Sequence, residues 1–276
     1  MSSPPPPHPY AELTPDVVLD ALESIGYRGD GRLLALASYE NRVYQVWRDE
    51  APSVVAKFYR PGRWTDEQIR EEHVFVAELA AREIPVVAPF ATDGATLHAF
   101  TGFRFAVYPK CGGRAPELED RATLEWMGRF LGRIHAVGAQ TTFTHRPPID
   151  AESFGTAPRD WLLAHDFIPG DLLPAWQSIA AQALDAVRHS YDRAGAVNTL
   201  RLHGDCHAGN VLWTDDGPHF VDFDDARSGP AVQDLWMLLS GDRAAMSRQL
   251  AAVLDGYEDF ADFDPRELHL VDGVLQ

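Results

Sequence analysis

Residues 203–225, HGDCHAGNVLWTDDGPHFVDFDD, set three oxygen-bearing side chains around one short hairpin, and this spacing limits what the chain can be. VLWT and HFVD have strand character, and DDGP between them is a turn sequence. With the turn over 215–218, Thr214 faces His219 and the register brings Val211 opposite Asp222, so Asn210 and Asp222 share the open end. Paired strands run about 4.8 Å apart, so an amide oxygen and a carboxylate placed this way can grip one hard cation. Two protein oxygens plus phosphates is the usual way of holding Mg²⁺. Asp205, five residues before Asn210, lies on the loop entering the hairpin, placed to accept a proton from a hydroxyl that attacks a metal-bound phosphate. Two other readings compete. His203, Asp205, Cys206 and His207 are too crowded for a tetrahedral zinc site and have no second clip elsewhere. Cys206 with His203 or His207 would be a thiol and its base, but such near neighbours on one loop orient poorly. His203 reads as structural, anchoring the loop to the main chain.

The hairpin sits in the second of two regions. Residues 1–9 form a proline-rich tail expected to be disordered, and Thr14 with Pro15 opens a helix that Gly26 ends. RLLALAS, RVYQVW and SVVAKFY read as an antiparallel meander. Thr65 and Gln68 form a capping box for a helix over about 65–82, stopped by Ile84-Pro85. TLHAF and FRFAVYP make a further hairpin, so residues 1–109 predict a sheet of about five strands with one long helix inserted. Residues 110–114, with Gly112-Gly113, read as a joint. Helical periodicity then dominates 115–276, with runs at 120–138, 172–193, about 232–240 and 244–260.

A catalytic loop of the kinase type spaces a base Asp five residues before a metal-binding Asn, with a second metal Asp on the next hairpin. Asp205, Asn210 and Asp222 match that order, DFD standing where DFG would be. Such a site also needs a strand lysine and a helix glutamate. Lys57 ends the apolar run SVVAK, and Glu71 or Glu72 opens the following helix. An ordinary strand-end lysine and a solvated first-turn acid are the plainer readings of the two.

HGDCHAGN, VDFDD and KFYRP resemble the aminoglycoside phosphotransferase and choline kinase superfamily, whose members fold like protein kinases. SYENRVYQV, VAKFYRP, EEH, LRLHGDCHAGN and DDARSGPAVQDLWMLL resemble a bacterial stress-response serine/threonine protein kinase branch of it along nearly the whole chain. The resemblance implies an α+β, bilobal protein-kinase-like fold, with a small antiparallel-sheet lobe and a mainly helical catalytic lobe. It implies Asp205 as proton acceptor, Asn210 and Asp222 as Mg²⁺ ligands, and Ser38 in the loop over ATP. Lys57 and Glu72 become the phosphate-orienting pair, and Asp234, in QDLW, braces the catalytic loop beside His203. Asp224 and Asp225 face solvent, or contact Arg227 or substrate. The activity implied is transfer of the γ-phosphoryl group of ATP to a protein hydroxyl. Small-molecule phosphorylation and a nucleotide-binding scaffold without turnover are the alternatives. SYENRVY lacks a GxGxxG pattern, as is usual in this superfamily. Relatives continue past HLVDGVLQ, so helices on the substrate side of the large lobe are expected to be missing.

Composition agrees with these implications. The formal charge of -17 over 276 residues disfavours nucleic acid and anionic membrane as partners, and suits a cationic substrate. No apolar run reaches the roughly 18 to 20 residues that span a bilayer, and MSSPPPPHPY lacks the regions of a signal peptide. Cys111 and Cys206 are expected as free thiols. The expectation is a cytoplasmic monomer acting on a protein substrate.

Overall fold

The computed structural model describes the backbone of residues 8–274 and the side chains to residue 271. The proline-rich tail expected at 1–9 therefore lies almost wholly outside the described residues. The chain divides into two compact units at Gly113/Arg114.

The first unit opens with α1, Pro15–Glu23, whose first turn is closed by the Thr14 hydroxyl accepting from the Val17 amide. Strands β1 (Gly29–Leu36), β2 (Arg42–Arg48), β3 (Ala51–Phe58), β4 (His98–Phe100) and β5 (Phe103–Pro109) form one antiparallel sheet in the order β1-β2-β3-β5-β4. Helix α2, Asp66–Ala80, follows β3 and begins with the reciprocal Thr65/Gln68 capping box. The side-chain period of two sorts the sheet into faces. Phe103, Phe105 and Val107 of β5 join Val54, Ala56 and Phe58 in a core closed by Val18, Ala21 and Leu22 of α1. Ala106, between them in sequence, packs on the opposite face with Tyr59 and with Ile69 of α2. Lys57 is the cross-strand partner of Ala106, so register puts it on the α2 side.

The second unit contains α3 (Arg121–Gly138), α4 (Ala157–Ala164), α5 (Leu173–Ala194), α6 (Val232–Trp236), α7 (Arg243–Tyr257) and α8 (Leu268–Val274). Two small sheets pair β6 (Leu200–Arg201) with β9 (Ser228–Gly229) and β7 (Val211–Thr214) with β8 (Gly217–Phe220). Helices α3 and α7 touch backbone to backbone. A Cβ at Gly128 would lie 1.9 Å from the Val253 carbonyl oxygen, and one at Gly256 2.0 Å from that of Glu125. Only paired glycines permit that approach.

The hairpin differs from the register expected. Its loop is the two residues Asp215 and Asp216, Thr214 pairs with Gly217, and Val211 pairs with Phe220 rather than Asp222. The Thr214 hydroxyl accepts from the Asp216 amide and donates to the Gly217 carbonyl, and Gly217 takes φ +112, so the turn closes two residues earlier than a DDGP turn would. The helical runs expected at 232–240 and 244–260 end sooner, at Trp236 and Tyr257. Among the described residues, no helix is long and apolar enough to cross a membrane.

Candidate active site

In the second unit the carbonyl of Asn210 accepts from the Val221 amide at 3.0 Å, which continues the β7–β8 pairing by one step. Asp222 follows directly, with φ 60 and ψ 59 in the left-handed region. Aspartate tolerates that region better than most residues. The conformation turns the chain into a single 3-10 turn over Phe223–Asp225 and separates Asp222 from the strand before it. Arg146, itself buried, fixes this turn by donating from Nη1 to the carbonyls of Asp224 and Ala226, both at 2.7 Å.

Asn210 and Asp205 are joined directly. The Asn210 amide donates from Nδ2 to the Asp205 carbonyl at 2.8 Å and to Asp205 Oδ2 at 3.2 Å. With the NH₂ group committed, the amide oxygen is the Asn210 atom left to take a cation. His207 Nε2 lies 3.5 Å from Asp205 Oδ2, while its Nδ1 accepts from the Gly209 amide. Asp205 Oδ1 has no hydrogen-bond partner among the described residues.

The loop hangs from Asp234. This fully buried carboxylate accepts the His203 amide on Oδ2 and the Gly204 amide on Oδ1, each at 2.8 Å. Burial works against its charge, but the hydrogen bond from His135, the electrostatic influence of the two imidazole rings beside it and the Gly204 amide outweigh it. The carboxyl is held below the ordinary carboxylate range. The His203 ring is fully buried against Phe223, 4.3 Å between centroids. Its Nε2 donates to the Val221 carbonyl at 2.9 Å and its Nδ1 accepts the Asp205 amide at 3.3 Å.

Cys206 is buried, and burial pushes its thiol well above the usual range, so it is no nucleophile. No group of three or more His, Cys, Asp or Glu able to hold a metal occurs among the described residues, which leaves the zinc reading without support.

In the first unit Lys57 and Glu72 are both buried, Lys57 on the α2 side of the sheet and Glu72 on α2. Glu71 is only half-buried. The Lys57 ammonium stands 5.2 Å from the centroid of the Tyr59 ring, whose hydroxyl is bonded to His73 and Tyr108. Ser38 is half-buried in the β1–β2 loop. That loop is tied at its far end, where the Tyr10 hydroxyl donates to the Glu40 carbonyl and Asn41 Oδ1 accepts the Arg60 amide.

The profile of the phosphotransferase enzyme family matches residues 32–271. The chain belongs to that family. It is 46% identical over 263 residues to stress response kinase A of Shigella flexneri, spanning 95% of this chain and 79% of the relative. It is 45% identical, over the same shares, to the serine/threonine protein kinase RdoA of Salmonella typhimurium. Among solved structures, an amicoumacin kinase in complex with AMP-PNP, Ca²⁺ and its ligand superposes with a TM-score of 0.73 at 20% identity, over 94% of this chain and 85% of that one. The fold is therefore the bilobal α+β fold of the kinase-like phosphotransferases, and the chain is a phosphotransferase.

Sequence reasoning did not find His135, Arg146 or Tyr257. A lone histidine among Leu131, Ile134 and Val137 carries no signal separating it from any core histidine. An arginine in a proline-rich loop carries none either.

Proposed function

We propose that the protein is an ATP-dependent serine/threonine protein kinase of bacterial stress response, cytoplasmic and monomeric, moving the γ-phosphoryl group of ATP to a protein hydroxyl. The observation that carries the reading is the double hydrogen bond from the Asn210 amide to Asp205, which fixes the base and a metal ligand as one unit. The donors suit a hard cation, since Asn210 Oδ1 and the Asp222 carboxylate are both oxygens. Asn210 and Asp222 would hold Mg²⁺ through these oxygens, and the bound ion would supply charge neutralisation for the phosphate oxygens.

Asp205 takes the proton of the acceptor hydroxyl on its carboxylate, with Oδ1 the open atom. The Asn210 NH₂ keeps Oδ2 and the loop carbonyl in place while this happens. Lys57 gives the α and β phosphates a fixed cation, with Glu72 orienting it, and Ser38 belongs to the loop over the nucleotide. The name of the Salmonella relative supports the protein acceptor, and that of the Shigella relative supports the part in stress response. A small-molecule acceptor is the second reading, favoured by the amicoumacin kinase with the same fold.

Asp205→Asn keeps the size of the side chain and removes the base. Transfer of radiolabel from ATP to a generic basic protein should fall about 10²-fold or more, with Mg·ATP binding unchanged by calorimetry. Wild-type transfer by this variant would remove Asp205 from its role. Labelling of a panel of small amino alcohols in place of the basic protein would select the second reading.

A further inference from the structure

We infer that Tyr257 and His135 are positioning residues for phosphoryl transfer, acting on Asp205 and Asp222 through Asp234 and His203; this rests on the roles proposed above for those two aspartates. Tyr257, at the end of α7, is buried and donates its hydroxyl to His135 Nδ1 at 2.9 Å. The rings meet edge to face, with centroids 5.5 Å apart. The other His135 nitrogen, Nε2, faces Asp234 Oδ2 at 3.0 Å and must carry the ring proton because a carboxylate only accepts, which leaves Nδ1 to accept from Tyr257. Burial pushes the pKa of the Tyr257 hydroxyl up, so it stays protonated and remains a donor.

Asp234 passes the constraint on through the amides of His203 and Gly204. His203 then divides it between the Asp205 amide and the carbonyl of Val221, the residue before Asp222. One buried chain of hydrogen bonds thus runs from α7 through α3 and α6 to both ends of the proposed site. Bonding of this kind sets orientation, and a displacement of about 1 Å at a reacting group costs about 10²-fold in rate. The packing of α3 on α7 does not depend on it, being made by Gly128 and Gly256.

Tyr257→Phe removes only the hydroxyl, His135→Gln keeps an N–H able to reach Asp234, and His135→Ala removes the link. Two measurements separate the outcomes: amide hydrogen exchange of His203 and Gly204 without nucleotide, and kcat and KM with Mg·ATP and the basic protein. His135→Ala should exchange both amides about tenfold faster and lose about 10²-fold in kcat, with KM for ATP moving less than about threefold. His135→Gln should recover most of both losses, and Tyr257→Phe should lose roughly three- to tenfold in kcat. Unchanged exchange in folded His135→Ala would overturn the proposal, and so would equal losses in the Gln and Ala variants. If His135→Ala does not fold, Tyr257→Phe and His135→Gln decide, and wild-type exchange with wild-type kcat in both sinks it. If even the wild-type protein transfers no phosphate, the kinase reading fails while the exchange rates still decide the relay.

Discussion

Gly204 shows how much rests on single atoms in the loop that carries Asp205. It takes φ +87, and a Cβ there would lie 2.0 Å from the Asp225 carbonyl oxygen, so the loop and the turn after Asp222 pass within contact of each other. Gly204→Ala adds left-handed strain and a clash, together about 3 kcal/mol. Urea unfolding should show that loss, and the transfer assay should show at least a tenfold drop, because Asp205 is the next residue. A variant with wild-type stability would mean the two segments separate freely. Asp205, Asn210 and Asp222, the residues proposed to act on the acceptor and the cation, could be picked out in the sequence because that chemistry demands oxygen donors at a fixed spacing along one loop and hairpin. His135 and Tyr257 were not, since they stand 99 and 122 residues from their partners and reach the loop only through tertiary packing.

At the scale of elements, local signals carried most of what could be read. The Thr65/Gln68 capping box and the strands of the first unit follow from neighbours in sequence, and they form where expected. The β7–β8 register was misjudged because Thr214 and Gly217 closed a tighter turn than the proline suggested. Helix α6, only five residues long, depends on a distant anchor: Glu267, buried, accepts the Val232 amide at 2.8 Å. Burial and the charge of Asp264 push its carboxyl up to about 7, against the Val232 and Ala231 amides and Arg266, which favour the charged form. A carboxyl whose folded pKa is raised is most favourable to folding when protonated. Its contribution is complete below about pH 4.5 and is lost as pH rises through about 7. The melting temperature should therefore decline from pH 5.5 to 8, and Glu267→Gln, which keeps an acceptor for Val232, should flatten that decline. Parallel melting curves for the two proteins across this range would show that Glu267 does not titrate there.

Over the whole molecule, the two units differ in how far sequence alone could specify them. The sheet of the first unit pairs strands adjacent in sequence except where β3 reaches β5, so period-two patterning suffices to recover it. The second unit is held by long-range contacts, with β6 pairing β9 over only two residues each and α3 packing on α7, and periodicity says nothing about such pairings. Both units share one electrostatic burden: 41 acidic against 24 basic side chains, a formal charge of -17. Exposed pairs such as Arg121–Asp255 join α3 to α7, but each is worth only about 0.2 to 1 kcal/mol and is weakened by salt. The surplus charge repels itself across the surface, and screening relieves it once the Debye length falls to about 10 Å near 0.1 M. Repulsion among many unpaired carboxylates outweighs a few exposed pairs, so melting temperature should rise by a few degrees between about 0.02 and 0.3 M NaCl at pH 8. A fall over that range would mean that the ion pairs between helices dominate, and the balance drawn from net charge would be wrong.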